Sequence, residues 1–257
     1  MSRRRRIRAL LIFAAALAVA AAVIASAPRP RAAASSAAPS AAEDLLKVEA
    51  SGAAGTISVA GEAWAGLSFP ELAGKDPDRI DVRAIDGLTA RVSAVWNVAA
   101  ETAQDELSVA FHWKIKPDLW WAPHLAPEAG NVVAQHVFRS PALITGRAGT
   151  TLAVVPDLDL VGKPESNPWF LDYDAPAGEA RLGMTLTEVP VHVLFKKKPG
   201  QRFAPGRIEI AFFVLAGRDQ GPAANPWRRT ADFLWQRWGR PLHEAGEPIQ
   251  APLDAYV

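Results

Sequence analysis

The sequence predicts a mainly β fold: an antiparallel β-sandwich with one C-terminal amphipathic helix, preceded by an N-terminal apolar signal or anchor helix. Three observations predict it. Apolar and polar residues alternate with period two in several segments, the mark of strands with one buried face. No helical period falls between those segments, which argues for two packed antiparallel sheets rather than alternating strands and helices. A single stretch of helical periodicity lies near the end of the chain.

The N-terminus reads as an export signal. Arg3, Arg4, Arg5, Arg6 and Arg8 precede an uncharged, aliphatic run from Ala9 to Ala27. As a helix that run would span roughly 28 Å, close to the hydrocarbon thickness of a bilayer. Residues 1–27 are therefore a signal peptide or an N-terminal membrane anchor. Ala25-Ser26-Ala27 and Ala32-Ala33-Ala34 are candidate cleavage sites, and cleavage is the favoured outcome. Either way the arginines stay cytoplasmic and the remainder is exported, to the periplasm or beyond, or stays anchored in the inner membrane through residues 9–27 if they are uncleaved. Residues 28–42, rich in Ala, Pro and Ser, form a linker with nothing to anchor a core.

The body divides into a β-sandwich domain at 43–221 and a C-terminal helix and tail at 222–257. Seven of the 28 Lys and Arg residues, and none of the 27 Asp and Glu, precede Glu43, so the body keeps 21 cations against 27 anions. That balance argues against nucleic acid as a partner. With no cysteine and nine tryptophans, all after the linker, stability rests on apolar burial and not on disulfides.

The clearest strand is Leu107–Ile115, where Leu107, Val109, Phe111, Trp113 and Ile115 share one face. Val92–Val98 and Leu182–Leu186 repeat the pattern. Arg207–Leu215 is apolar on both faces towards its end, which predicts a central strand covered on both sides. Weaker strands are expected near Thr56–Ala60, Arg79–Ile85, Asn131–Arg139, Thr150–Val155 and Pro190–Lys196. Asp86-Gly87, Pro127–Gly130, Thr145-Gly146, Pro176–Gly178 and Lys198–Gly200 read as turns. At the end, Asn225 as N-cap, Pro226 at the first helical position and a stop at Gly239 and Pro241 bound a helix. Its apolar stripe is Trp227, Ala231, Leu234, Trp235 and Trp238.

Candidate sites follow from residue type and position. Trp120 and Trp121 sit in or beside the proline-bounded segment Lys116–His124, where exposed indoles would stack on sugar faces, with His124 beside them; the alternative is that the rings plug the end of the sandwich. Trp227, Leu234, Trp235 and Trp238 would dock a partner, or the helix would cap its own sandwich. Asp157 and Asp159 form an alternating pair suited to calcium, and Asp157 or Asp172 to glycosidic acid–base chemistry, although such aspartates commonly form turns. None of the five histidines, His112, His124, His136, His192 and His243, has the spacing of a metal motif, and they read as half-exposed strand residues. The sequence contains no Gly-x-Ser-x-Gly elbow and no phosphate-binding glycine loop.

The Trp-rich segment, HVFRSPALI, VVPDLDL and the helix ADFLWQRWGRPL together resemble the N-terminal β-supersandwich region of large bacterial glycosidase-like proteins that continue into an (α/α) toroid. That resemblance implies carbohydrate handling, with catalytic acids mainly on the toroid, so it assigns no catalytic residue here. The expectation is an exported, non-catalytic, carbohydrate-related module, its partners a polysaccharide and a toroid domain or partner protein. The alternatives are a membrane-anchored interaction or scaffolding domain acting through its C-terminal helix, and a small carboxylate-dependent glycosidase.

Overall fold

The computed structural model describes residues 45–122, 131–132, 141–161, 163, 167–174, 176–188, 195–218 and 225–245. All of them belong to the second of two compact units, which begins at Ala42. The apolar segment 9–27, the linker 28–42, His124, His136 and His192 lie outside the described residues, and among those described no helix is long and apolar enough to cross a membrane.

The fold is mainly β, built from antiparallel sheets. Sixteen strands are described: β1 (Leu46–Ser51), β2 (Ala54–Val59), β3 (Glu62–Ser68), β4 (Arg79–Asp86), β5 (Thr89–Val98), β6 (Thr102–Ala103), β7 (Glu106–Trp113) and β8 (Leu119–Trp121) make up the first half. The second half holds β9 (Asn131–Val132), β10 (Leu143–Arg147), β11 (Thr150–Pro156), β12 (Trp169–Asp174), β13 (Glu179–Thr187), β14 (Phe195–Lys198), β15 (Arg202–Phe203) and β16 (Gly206–Arg218). One sheet runs β1-β2-β3-β7-β13-β14-β9, with β12 also paired to β13; the other runs β4-β5-β16-β11-β10-β8; β6 and β15 form a small ribbon.

Period-two patterning produces the sandwich directly. Leu107, Val109 and Phe111 of β7 and Leu182 and Met184 of β13 meet Val92, Trp96, Phe212 and Val214 of the other sheet in one continuous core. The Phe111 and Phe212 rings touch edge to face across it, with centroids 5.1 Å apart. β16 is the central strand its composition predicts, paired with β5 on one side and β11 on the other. Its inner face joins the main core, while Phe213 and Leu215 on its outer face join a second cluster that includes Ile144, Val155, Phe233, Leu234 and Trp238.

That second cluster lies beneath the C-terminal helix, which differs in two respects from expectation. Helix α1 (Arg228–Leu234) passes through a π-helical turn, Trp235–Gly239, into α2 (Arg240–Ala245), so Gly239 and Pro241 do not stop it. In the wide turn Arg240 N donates to Trp235 O, five residues back, and Pro241, which has no N–H to give, follows directly in α2. Gly239 makes room for a neighbour: a Cβ there would lie 2.6 Å from the Trp235 ring. The apolar stripe is also rotated. Thr230, Phe233, Leu234 and Trp238 turn towards the sheet, whereas Trp227, Ala231 and Trp235 are exposed.

A third correction concerns a turn. Thr145-Gly146 lies inside β10, and the chain reverses at Ala148-Gly149, with φ of 51° and 74°. The reversals at Ala60-Gly61 (51°, 81°) and Ala73-Gly74 (54°, 72°) have the same left-handed pair of residues. Those angles fit a primed hairpin turn, whose twist matches that of the strands it joins.

Candidate functional site

Trp120 and Trp121 are on a strand, not in a loop. β8 pairs with β10 through Trp120↔Thr145 and Trp121↔Ile144, and it ends the order of the six-stranded sheet. Because successive strand residues point to opposite faces, the two indoles part company. Trp121 turns outward into the cluster under the helix and meets the Trp227 ring edge-on at 6.3 Å. Trp120 turns to the inner side, where its ring lies 5.2 Å from Tyr173, which in turn contacts Trp113 at 6.5 Å.

The inner set forms a braced aromatic edge. Tyr173 is buried, but Trp120 remains 42% exposed because no further described strand follows β8. Burial, assisted by the charge of Asp174, pushes the Tyr173 phenol above its ordinary pKa, so it stays neutral at pH 7. The Trp113 indole N–H, on the far side of Tyr173, is buried with no acceptor among the described residues. An apolar ring face held by a second ring suits a ligand that presents a flat C–H surface.

The helix has its own exposed aromatic surface. Leu234 and Trp238 rest on the chain's own sheet, so of the four candidate docking residues only Trp227, 37% exposed, and Trp235, 49% exposed, face outward. They flank a shallow groove with Ala231 and Gly239, and Leu242 further along is 72% exposed.

The aspartates are held by arginines. Asp157 is buried and accepts from Arg91 Nε at 2.8 Å, while Arg91 also reaches Glu209. Its other oxygen accepts from Asp159 N at 3.2 Å, the self-bonding of an Asx turn. Asp159 receives Arg237 at 2.7 Å and the Trp238 indole N–H at 2.9 Å. The two carboxylates proposed for calcium are thus each engaged by a cation, and the described residues contain no cluster of three or more metal-ligating side chains.

Asp172 lies on the outer face of the eight-stranded sheet, whereas Asp157 is bonded to Arg91, which shares the outer face of the other sheet with Phe213. The two carboxylates do not converge. Asp172 instead belongs to a half-buried ionic group in which Arg181 bridges its Oδ2 (3.2 Å) and Glu106 (3.1 Å), and Lys197 also pairs with Glu106. Asp172 Oδ1 is buried with no partner among the described residues. Burial raises the Asp172 carboxyl above its ordinary value despite Arg181 and Lys197, and Glu106 adds to the rise. Burial pushes Glu106 upward as well, but hydrogen bonds from Lys197 and Ser108 and the charges of Arg181 and Lys197 prevail and hold it below the ordinary glutamate value.

Set against protein-family models, curated proteins and solved structures, the chain matches none of them.

Proposed function

We propose that this chain is an exported, carbohydrate-related β-sandwich module, supersandwich-like in architecture, that acts as the accessory part of a glycosidase-like protein and holds a glycan at its aromatic edge. The observation that carries the reading is Trp120: a large apolar ring left 42% exposed on an edge strand and braced by Tyr173. Full burial of a large apolar side chain is worth roughly 1.5–3 kcal/mol, and the exposed part of Trp120 forgoes a share of it. A sugar ring stacked on that indole would recover part of this share. Export follows from the arginine-rich start and the uncharged run 9–27, which serves as signal peptide or inner-membrane anchor.

Affinity electrophoresis tests this reading. Full-length protein in mild detergent is run through native gels that contain neutral or acidic polysaccharides. Retardation by at least one polysaccharide, lost in Trp120→Ala, is the expected result; unchanged mobility across the panel, or retardation indifferent to that substitution, counts against it.

A second reading has its own observation. Trp227, Trp235 and Leu242 leave an apolar strip on the outward side of the helix, which suits docking of a partner protein or toroid domain. Trp235→Asp together with Leu242→Asp would abolish that docking and leave glycan retardation intact.

A further inference from the structure

On the outer face of the eight-stranded sheet, Gly66, His112 and Glu179 stand directly across from one another on β3, β7 and β13. Ser68 lies one pleat further along β3. Its Oγ is 3.1 Å from His112 Nε2, and Glu179 Oε2 is 3.4 Å from His112 Nδ1. The nucleophile–base–orienter order of a hydrolytic triad is therefore present on three adjacent strands, and it is accessible: the His112 side chain is 50% exposed and Glu179 35%. Gly66 keeps the floor bare, since a Cβ there would meet nothing closer than Lys114 Cε at 3.6 Å. The result is a notch beside the imidazole, with Ser68 on one side and the Lys114 side chain on the other.

We propose that Ser68, His112 and Glu179 form an acyl-transfer relay that hydrolyses short-chain carboxylic esters carried on a larger molecule. His112 Nε2 takes the Ser68 hydroxyl proton while Oγ attacks the ester carbonyl carbon. The carbonyl π pair moves to its oxygen, where the Lys114 ammonium balances the charge. Collapse breaks the ester C–O bond, and the departing alcohol takes the proton from His112. Water then repeats the sequence on the acyl-serine, releasing a carboxylic acid and restoring Ser68. Glu179 is a positioning residue whose carboxylate, 3.4 Å from Nδ1, favours the proton on that nitrogen and so leaves Nε2 to accept from Ser68. Arg181, 3.9 Å away, restrains the other Glu179 oxygen. An open sheet face imposes no size limit on the alcohol portion, which suits an ester displayed on a polymer. With one flexible cation in place of paired backbone donors, turnover is slow, so the test reads covalent capture.

The experiment treats full-length protein in mild detergent with a fluorophosphonate probe and maps the modified serine by peptide mass spectrometry. Modification at Ser68 is expected, slowed about 100-fold in His112→Ala, the loss typical of a removed general base. Glu179→Gln slows it about tenfold, whereas Glu179→Asp stays within about threefold of the parent, a contrast a merely structural role would not produce. Circular dichroism confirms that each exposed-site variant is folded. An unmodified Ser68, or equal labelling rates in the parent and His112→Ala, overturns the proposal. Neither result bears on glycan retention by Trp120, so the two readings fail separately.

Discussion

Trp238 donates its indole N–H to Asp159 Oδ1 at 2.9 Å, tying the C-terminal helix to the turn that follows β11. Arg237 bonds the other oxygen of the same carboxylate while its guanidinium lies 4.7 Å from the centre of the Phe213 ring, so one aspartate fixes two consecutive helix residues.

Asp159→Ala should loosen the helix without unfolding the sandwich. The contacts are largely exposed, so the global cost is about 1 kcal/mol or less. Hydrogen exchange reads the local effect: amides of 228–245 should exchange faster, while those of β16 stay protected.

Asp172→Asn and Glu106→Gln should have opposite pH signatures. Asp172 has a folded pKa above its unfolded one and so binds its proton more tightly when folded; between those two values stability falls as pH rises. Asp172→Asn removes that slope and should be at least as stable as the parent at neutral pH. Glu106 has a lowered folded pKa, and its contribution is present above the unfolded value and lost as pH falls through the folded one. Glu106→Gln should cost about 2 kcal/mol at neutral pH, with the deficit closing in acid. Urea unfolding from about pH 3 to pH 7 checks both.

Gly183→Ala should be severe. Gly183 pairs with Ser108 on one side and Phe170 on the other, and a Cβ would fall 2.1 Å from Leu107 O and 2.4 Å from Ser108 Cα. Both are backbone atoms that cannot swing aside, so the ladder must open, at a cost of about 3 kcal/mol or more. Thermal unfolding of the soluble variant, or its failure to accumulate, gives the measurement.

Ala148→Asn should stabilise. Ala148 has φ of 51° at the first position of its hairpin turn, a conformation asparagine adopts more readily than alanine. A gain of about 0.5 kcal/mol is expected, seen as a higher unfolding midpoint in urea.

The Ala-Gly turns also explain which parts of the fold were legible. Strands β5, β7, β13 and β16 show in the sequence because their apolar residues alternate or run together against a core. β3 and β10 do not, since Ala60, Ala73 and Ala148 conceal the turns beside them behind an unremarkable residue and Thr145-Gly146 imitates a turn inside β10. On the helix, periodicity found apolar residues but not the face that docks, because Thr230 and Phe233, which lie outside the stripe, take inward places before the π-helical turn begins. At the aromatic edge, composition singled out Trp120 and Trp121, but their separation onto opposite faces and the bracing by Tyr173 depend on pairing with β10 and on a residue more than fifty positions away. Ser68, His112 and Glu179 carry no local motif, and only the registers of β3, β7 and β13 bring them together.

The proposed binding of glycan at the aromatic edge is tested most directly by titrating full-length protein with the polysaccharide that retards it, following intrinsic tryptophan fluorescence in the parent, Trp120→Ala and Trp235→Ala. Loss of one braced stacking ring should weaken Kd about tenfold in Trp120→Ala and leave Trp235→Ala at the parental value. Equal affinity in the parent and Trp120→Ala, or a loss confined to Trp235→Ala, would contradict the account and move the binding surface to the helix.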